Sequence, residues 1–446
     1  MSTIDIGFAK GLTHSRYAIT LSNGKRLILF RLPQISQPET PAVLGCNDWI
    51  YYAMEAECPH AGGPMADAHI DIEDSSYVAS CPWHAYDFNL NTGESSYGVK
   101  ACTYPIRLQD GRVLLRFEEA EGVILSTIQA VSEKVKFKHG PREKPTGSPR
   151  YLGDEATLCD WCVHVLNTPD PEHKIELTTH LFSLFATREQ SAYPMDLGAG
   201  IVTAPDEPPR QNLQEVKPGR MPKAGKGGTL KSRITMLHAL ANIEQWAIDL
   251  AIDICVRFAT FQTIATNNSV AQNLPRTFYY DWLKVANDEA KHFSLLRARL
   301  EELGSHFGAL PVHHGLWDSA TMTAHDLRAR ISVIALVHEA RGLDMNPLTI
   351  EKFRVAGDVE SVDVMTIIHN DEITHVTTGH RWLTWICQQE GTDPVQVFRT
   401  SVQNHFWGVV KGPFNTDARL QAGMDRRYYE DLAGLPGGKG EVIAGG

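Results

Sequence analysis

Two short motifs in the first fifth of the chain have the residue types and spacing of a metal site. The sequence reads Cys58-Pro-His60, then twenty residues, then Cys81-Pro-Trp-His84. Thiolates are soft ligands that suit ferric iron, and neutral imidazoles suit iron and zinc alike. Brought together on two loops, these residues would supply a [2Fe–2S] cluster with a cysteine pair on one iron and a histidine pair on the other. Exchanging two thiolates for two neutral histidines raises the reduction potential. A tetrahedral zinc site would accept the same four residues. The surroundings read as loop and turn: Ala61-Gly-Gly-Pro64 follows the first pair, and Asp87-Phe-Asn-Leu-Asn-Thr-Gly93-Glu follows the second.

A second donor set lies in the other half. Residues 287–293 read Asn-Asp-Glu289-Ala-Lys-His292-Phe, and residues 370–376 read Asn-Asp-Glu372-Ile-Thr-His375-Val. Each places Glu and His at i and i+3, on one face of a helix. A lone Glu-x-x-His is weak, but two copies that share a preceding Asn-Asp are specific. Glu244 and Glu339 form a second repeat, each followed five residues on by an aspartate, Asp249 and Asp344. Both glutamates sit in strongly apolar stretches, where a carboxylate is costly to bury unless it is paired or metal-bound. The order is therefore Glu, Glu-x-x-His, Glu, Glu-x-x-His. Four glutamates and two histidines from four helices make a carboxylate-bridged two-metal site in a helical bundle. By position, Glu244 and His292 would be terminal on one metal and Glu339 and His375 on the other, with Glu289 and Glu372 bridging. Asp288 and Asp371, or Asp249 and Asp344, are candidates to accept a hydrogen bond from the ligand histidines.

The elements that must carry these residues divide the chain. Residues 1–118 are short alternating runs broken by Gly, Asn, Pro and Asp, which predict an all-β domain. Residues 119–150 turn polar and are expected to be a linker. Residues 151–446 are expected to be all-α, with long helices at 232–264, 276–303, 320–343 and 359–390 and shorter ones at 154–166 and 171–187. Gly304 and Gly391 fit positions just past helix ends, and Asp358 fits an N-cap.

The first of these domains resembles the Rieske family over about residues 10–118, down to the CPWH motif and the strand ending in Thr92-Gly93-Glu94. Two departures are a spacer somewhat longer than usual and Ala85 where Gly is common. Neither removes a ligand. Each loop also lacks the second cysteine of the respiratory type, so the ferredoxin or oxygenase type fits better. The second half resembles the ferritin-like superfamily in its repeated donor order. Residues 153–440 more narrowly resemble a ferritin-like family known as a domain of unknown function. That resemblance implies a four-helix bundle with extra helices and a di-iron, or manganese–iron, centre, but no reaction. It also implies that an Asp preceding Glu-x-x-His, here Asp288 and Asp371, supports the ligand histidines.

Two redox sites on one chain suggest an electron path. The expected function is an O2-dependent oxidoreductase, a monooxygenase or hydroxylase, acting on an unidentified small molecule. An external NAD(P)H-dependent reductase would feed the cluster, and the cluster would feed the di-iron centre. Alternatives are a mononuclear-iron Rieske oxygenase using Glu372, His375 and His380, a rubrerythrin-like peroxide reductase, and a non-enzymatic iron-handling or redox-sensing protein. The net charge is −11, with −4 in residues 1–118 and so −7 in the remainder, which argues against nucleic acid as a partner. A stretch at 210–233 with seven Lys/Arg and one acid is the exception. No apolar run is long enough to span a membrane, and the first ten residues lack a secretory apolar core, so the expected location is cytoplasmic. Eight cysteines at scattered spacings do not suggest a disulfide framework, and Cys159-Asp-Trp-Cys162 lacks the βαβ context of a redox motif.

Overall fold

The computed structural model describes residues 2–12, 14–33, 49–73, 76–118, 122–131, 147–211, 213–217, 220–221, 225, 228–266 and 270–432. The chain separates into two units, Met1–Lys134 and Val135–Gly446.

The first unit is all β among the described residues. Its strands are β1 (Ser2–Phe8), β2 (Arg16–Leu21), β3 (Arg26–Pro33), β4 (Trp49–Glu55), β5 (His69–Glu73), β6 (Ser76–Ser80), β7 (Asp87–Asn89), β8 (Thr103–Tyr104), β9 (Ile106–Gln109), β10 (Arg112–Phe117) and β11 (Leu125–Ala130). They form three antiparallel sheets ordered β11-β2-β3-β4-β8, β1-β10-β9 and β5-β6-β7. In β2 and β10 alternate residues are buried, as period-two side chains on a half-covered sheet require. Strand β3 differs, because Leu27, Ile28, Leu29 and Phe30 are all buried. Leu27 and Leu29 pack with Ile19, Val113 and Leu115. Ile28 and Phe30 face the other way and pack with Met54, Phe88, Cys58 and Cys81. One strand thus anchors the domain core on one face and the floor of the cysteine loops on the other. Strand β11 falls inside the stretch expected as a linker. It pairs with β2 through Thr127↔Thr20 and Gln129↔Ala18. Its side chains are mostly exposed or half-buried, so a backbone ladder holds it rather than an apolar pattern.

The second unit is helical: α1 (Leu158–Leu166), α2 (Pro171–Glu189), α3 (Leu230–Arg257), α4 (Arg276–Glu302), α5 (Gly315–Met322), α6 (Leu327–Arg330), α7 (Glu339–Val355), α8 (Val359–Glu390), α9 (Pro394–His405) and α10 (Thr416–Gln421). A π-helical stretch, Ile331–His338, joins α6 to α7. The sequence-derived helix at 320–343 is therefore displaced. Asp326 caps α6, accepting from the Arg328 N–H, and the helix runs on past Pro347 to Val355. Proline there leaves the Leu343 carbonyl without its helical donor, and the Asn415 side-chain amide donates to it instead at 3.2 Å. Helix α8 begins where Asp358 accepts from the Ser361 N–H and ends at Gly391, whose φ of +66° is left-handed.

Helix α3 packs along α4, α7 along α8, and α4 against α8. Two apolar clusters divide this bundle. One includes Ile252, Trp282, Ala286, Leu336, Ile373 and Val376. The other includes Leu237, Ile248, Phe293, Leu296, Val364 and Ile368. On α4 and α8 the glutamate and histidine donors fall near the junction of the two clusters, and on α3 Glu244 lies between Ala241 and Ile248 of the second. Among the described residues no helix is long and apolar enough to cross a membrane.

Candidate metal centres

The β5-β6-β7 sheet positions the first site. Cys58 and His60 lie in the connection between β4 and β5, and Cys81 and His84 in the connection between β6 and β7. Each loop is closed by its own backbone. The Cys58 N–H donates to the Gly63 carbonyl and the Gly62 N–H to the Cys58 carbonyl, both at 2.8 Å; the Cys81 N–H donates to the Tyr86 carbonyl at 2.7 Å. Both cysteines are buried, and their thiols lie side by side. Both histidines are exposed, and their rings meet edge to face at 5.0 Å. The cysteines and histidines thus segregate into two pairs, the arrangement that a [2Fe–2S] cluster with one pair on each iron would need. A Cβ on Gly63 would come 2.6 Å from Cys81 Sγ, so only glycine leaves the sulfur its space. Tyr86 stacks on His60 at 4.0 Å and fixes its ring plane. Burial pushes the Cys58 thiol up, opposed by the His60 backbone and reinforced by Cys81, as expected of a thiol whose ionised form awaits a cation.

The second site is built by four helices. Glu244 comes from α3, Glu289 and His292 from α4, Glu339 from the first residue of α7, and Glu372 and His375 from α8. The structure brings all six together in two overlapping groups. Donor atoms of Glu244, Glu289, His292 and Glu372 lie within 4.8 Å of one another, as do those of Glu289, Glu339, Glu372 and His375. Glu289 and Glu372 belong to both groups. His292 Nδ1 faces Glu289 at 3.2 Å and Glu244 at 3.4 Å, and His375 Nδ1 lies 2.9 Å from Glu289. The opposite nitrogens point to the aspartates: His292 Nε2 is 3.0 Å from Asp371, and His375 Nε2 is 3.6 Å from Asp288. Lys291 donates to Asp371 at 2.5 Å and Lys284 to Asp288 at 2.6 Å. Sequence reasoning missed both lysines, although Lys284 stands at i−4 to Asp288 and Lys291 sits inside the first motif.

The electrostatics call for cations. Burial first, and then neighbouring carboxylates, push Glu244 and Glu372 well above the usual range. Burial and Glu289 carry Glu339 to about 7. Burial would raise Glu289 too, but His375, Glu244 and His292 more than reverse it. Burial opposes charge on His292, yet Asp371, Glu244 and Glu289 hold it well above an ordinary histidine. The carboxylates therefore compete for protons that metal ions would replace. Glu372 Oε2 is buried without a hydrogen-bond partner among the described residues, and Glu289 Oε1 and His375 Nδ1 face each other at 2.9 Å without the geometry of a hydrogen bond. Such atoms fit metal ligation, which leaves no such polar group uncompensated.

Other candidates fall elsewhere. Asp249 is taken up by Lys174 and Arg210, and Asp344 by Arg419, so neither supports a ligand histidine. His380 packs against Tyr428, with ring centroids 5.5 Å apart, and is outside the donor groups. The mononuclear arrangement with Glu372 and His375 is not assembled. Cys159 and Cys162 are buried on α1, where burial carries the Cys159 thiol to about 12 and suppresses its reactivity. Of the basic 210–233 stretch, Arg210 and Arg233 are ion-paired to Asp249 and Asp358.

A cavity lies beside Glu339 and His375. Ala247, Leu250, Ala251 and Ile254 of α3, Trp282 and Val285 of α4, and Ile334 of the π-helical stretch complete it with Arg330. The space within it open to the centre of a water-sized molecule is about 10 Å³.

Together these features define a Rieske-type ferredoxin domain followed by a helical domain. Residues 36–107 match the family described as soluble Rieske-type ferredoxin. Residues 167–430 match the family described as protein of unknown function (DUF455), and the chain belongs to that family. A protein of Haemophilus influenzae, named only as uncharacterized, is 33% identical over 272 residues, covering 59% of this chain and 90% of that one. A human Rieske domain-containing protein is 43% identical over 47 residues, covering 10% of this chain and 30% of that protein. Among solved structures, the putative NADH-dependent nitrite reductase small subunit of Mycobacterium tuberculosis shares 18% identity, with 26% of this chain and 96% of that chain covered and a TM-score of 0.21. The complex of reduced oxygenase and oxidized ferredoxin in carbazole 1,9a-dioxygenase shares 19%, with 25% and 91% covered and a TM-score of 0.20.

Proposed function

We propose that the chain is an O2-dependent oxidoreductase, a monooxygenase or hydroxylase, whose [2Fe–2S] cluster passes electrons to a di-iron, or manganese–iron, centre in a ferritin-like bundle. Supporting this is the overlap of the two donor groups at Glu289 and Glu372, the pattern of a carboxylate-bridged metal pair. Glu244 and His292 would hold one metal and Glu339 and His375 the other. Bound there, the pair would supply redox capacity and a Lewis-acid seat for O2. The chain's own residues prepare the seat. Asp371 lies 3.0 Å from the outer nitrogen of His292 and Asp288 3.6 Å from that of His375, which would leave each Nδ1 to a metal. Protons held among Glu244, Glu339 and Glu372 leave as metal enters. The apolar clusters on either side exclude water, so charge at the donors is weakly screened. Electrons would come from an external NAD(P)H-dependent reductase, and carrying the cluster on the same chain raises its effective concentration.

Metal analysis and reduction kinetics test this together. About four metal ions per chain are expected, two iron atoms in the cluster and, at the carboxylates, two iron or one manganese and one iron. His84→Ala should slow reduction of the carboxylate centre by reductase and NAD(P)H about 100-fold or more. Wild-type reduction without a cluster would overturn the relay, and about two iron atoms per chain with the cluster intact would overturn the second centre. A second reading, reduction of hydrogen peroxide to water, is favoured by the small cavity beside Glu339 and His375. Rapid peroxide turnover by the reduced protein with no organic product would select it.

A further inference from the structure

Trp282 lines the cavity beside Glu339 and His375, and it is only 4% exposed. Its indole N–H has no hydrogen-bond partner among the described residues. Three other buried tryptophans find acceptors: Trp246 donates to the His313 carbonyl, Trp317 to the Asp206 carbonyl and Trp382 to the Asp281 carboxylate. A buried N–H left unpaired bears its full desolvation penalty, so one retained beside a cavity calls for a partner that arrives from outside the chain. Glu339 and His375 belong to the candidate metal centre, and the cavity's remaining polar group, Arg330, is already engaged by Asp253, Thr323 and the Ala320 carbonyl. Ala247 and Ala251 open the space, and the larger apolar side chains limit it to a very small molecule.

We infer that this cavity binds a ligand of two oxygen atoms, dioxygen or hydrogen peroxide, and that Trp282 Nε1–H is the donor that holds it beside Glu339 and His375. The inference rests on the metal centre proposed above. It adds a specificity: what enters this cavity is the oxidant, and an organic molecule does not fit it.

Azide, a small hydrogen-bond acceptor, is a suitable probe. The full-length, metal-loaded protein is titrated with sodium azide and binding is followed by visible absorption. Trp282→Phe keeps an aromatic ring and removes the donor, so affinity should fall about tenfold with iron content unchanged. Ala251→Leu should abolish binding by filling the space. Unchanged affinity in Trp282→Phe overturns the donor, and unchanged affinity in Ala251→Leu overturns the cavity. Single mixes of the reduced protein with O2 and with peroxide separate the two oxidants by which rate depends on Trp282; dependence in neither overturns the assignment. Crystals of the full chain pressurised with xenon give a readout independent of metal. Xenon between Ala251 and Trp282 in protein lacking helical-domain iron would keep the cavity and discard the metal reading. No xenon there would discard the cavity whatever the iron content.

Discussion

His292 Nε2 on α4 lies 3.0 Å from Asp371 Oδ2 on α8, and Asp371 directly precedes Glu372. The reverse pair, His375 Nε2 and Asp288 Oδ2, is 3.6 Å apart. Each Asn-Asp-Glu-x-x-His motif therefore sets an aspartate toward the histidine of the other, at hydrogen-bond distance for His292 and in a longer ion-pair contact for His375. Because such partners orient the ligand nitrogen and raise its basicity, Asp371→Asn should weaken helical-domain metal binding about 10- to 100-fold. Asp288→Asn should cost less, since its contact is longer. Chelator competition measures both. Unaltered affinity in both variants would mean that the aspartates serve only Lys291 and Lys284.

The shared carboxylates should be distinguishable from the terminal ones by stoichiometry. Glu289 belongs to both donor groups and Glu244 to one. Glu289→Ala should reduce helical-domain metal to near zero, whereas Glu244→Ala should retain about one ion per chain. Equal losses in the two variants, measured by elemental analysis, would contradict the shared role.

Ala85, in the second cysteine loop, has a φ of +56°, in the left-handed region. A Cβ there is strained, and glycine is not. Ala85→Gly should raise the thermal stability of the cluster domain by about 1 kcal/mol, read as a later loss of visible absorption on heating. Earlier loss would show that the loop is not strained.

His238 is buried on α3, and its Nε2 accepts the Gly308 N–H at 2.9 Å and the Leu310 N–H at 3.3 Å. Burial, with His306 nearby, carries it down to about 4. Between that value and the ordinary histidine value the unfolded chain binds more protons than the folded one. Its stabilisation is therefore present near neutrality and is lost as pH falls toward 4. Moving from pH 7 to pH 5 should cost about 1–2 kcal/mol through this group. His238→Gln should flatten that part of the urea-midpoint profile, and an equally steep profile would assign the loss to other groups.

Much of the site was legible because its signals are local. Glu-x-x-His spacing sets two side chains on one helical face, and the neighbouring apolar residues mark that face as buried. Asp358 and Gly391 bounded α8 because caps are chosen by local backbone geometry. Where the signal was not local, the reading fell short. Strand β11 has too weak an alternation to announce itself, and the helix expected to end at residue 343 runs on past Pro347, where Asn415, far along the chain, satisfies the carbonyl that the proline frees.

The sequence by itself determined the candidate donors: two cysteines and two histidines in one half, four glutamates and two histidines in the other. Tertiary structure decided which acids serve the histidines. Asp249, Asp288, Asp344 and Asp371 were equivalent candidates by spacing. Only the rotation and axial register of α3, α4, α7 and α8 turned Asp288 and Asp371 toward His375 and His292 while pairing Asp249 with Lys174 and Asp344 with Arg419. Spacing along a helix fixes which residues share a face, whereas the side chain opposite that face is set by packing between segments far apart in the chain.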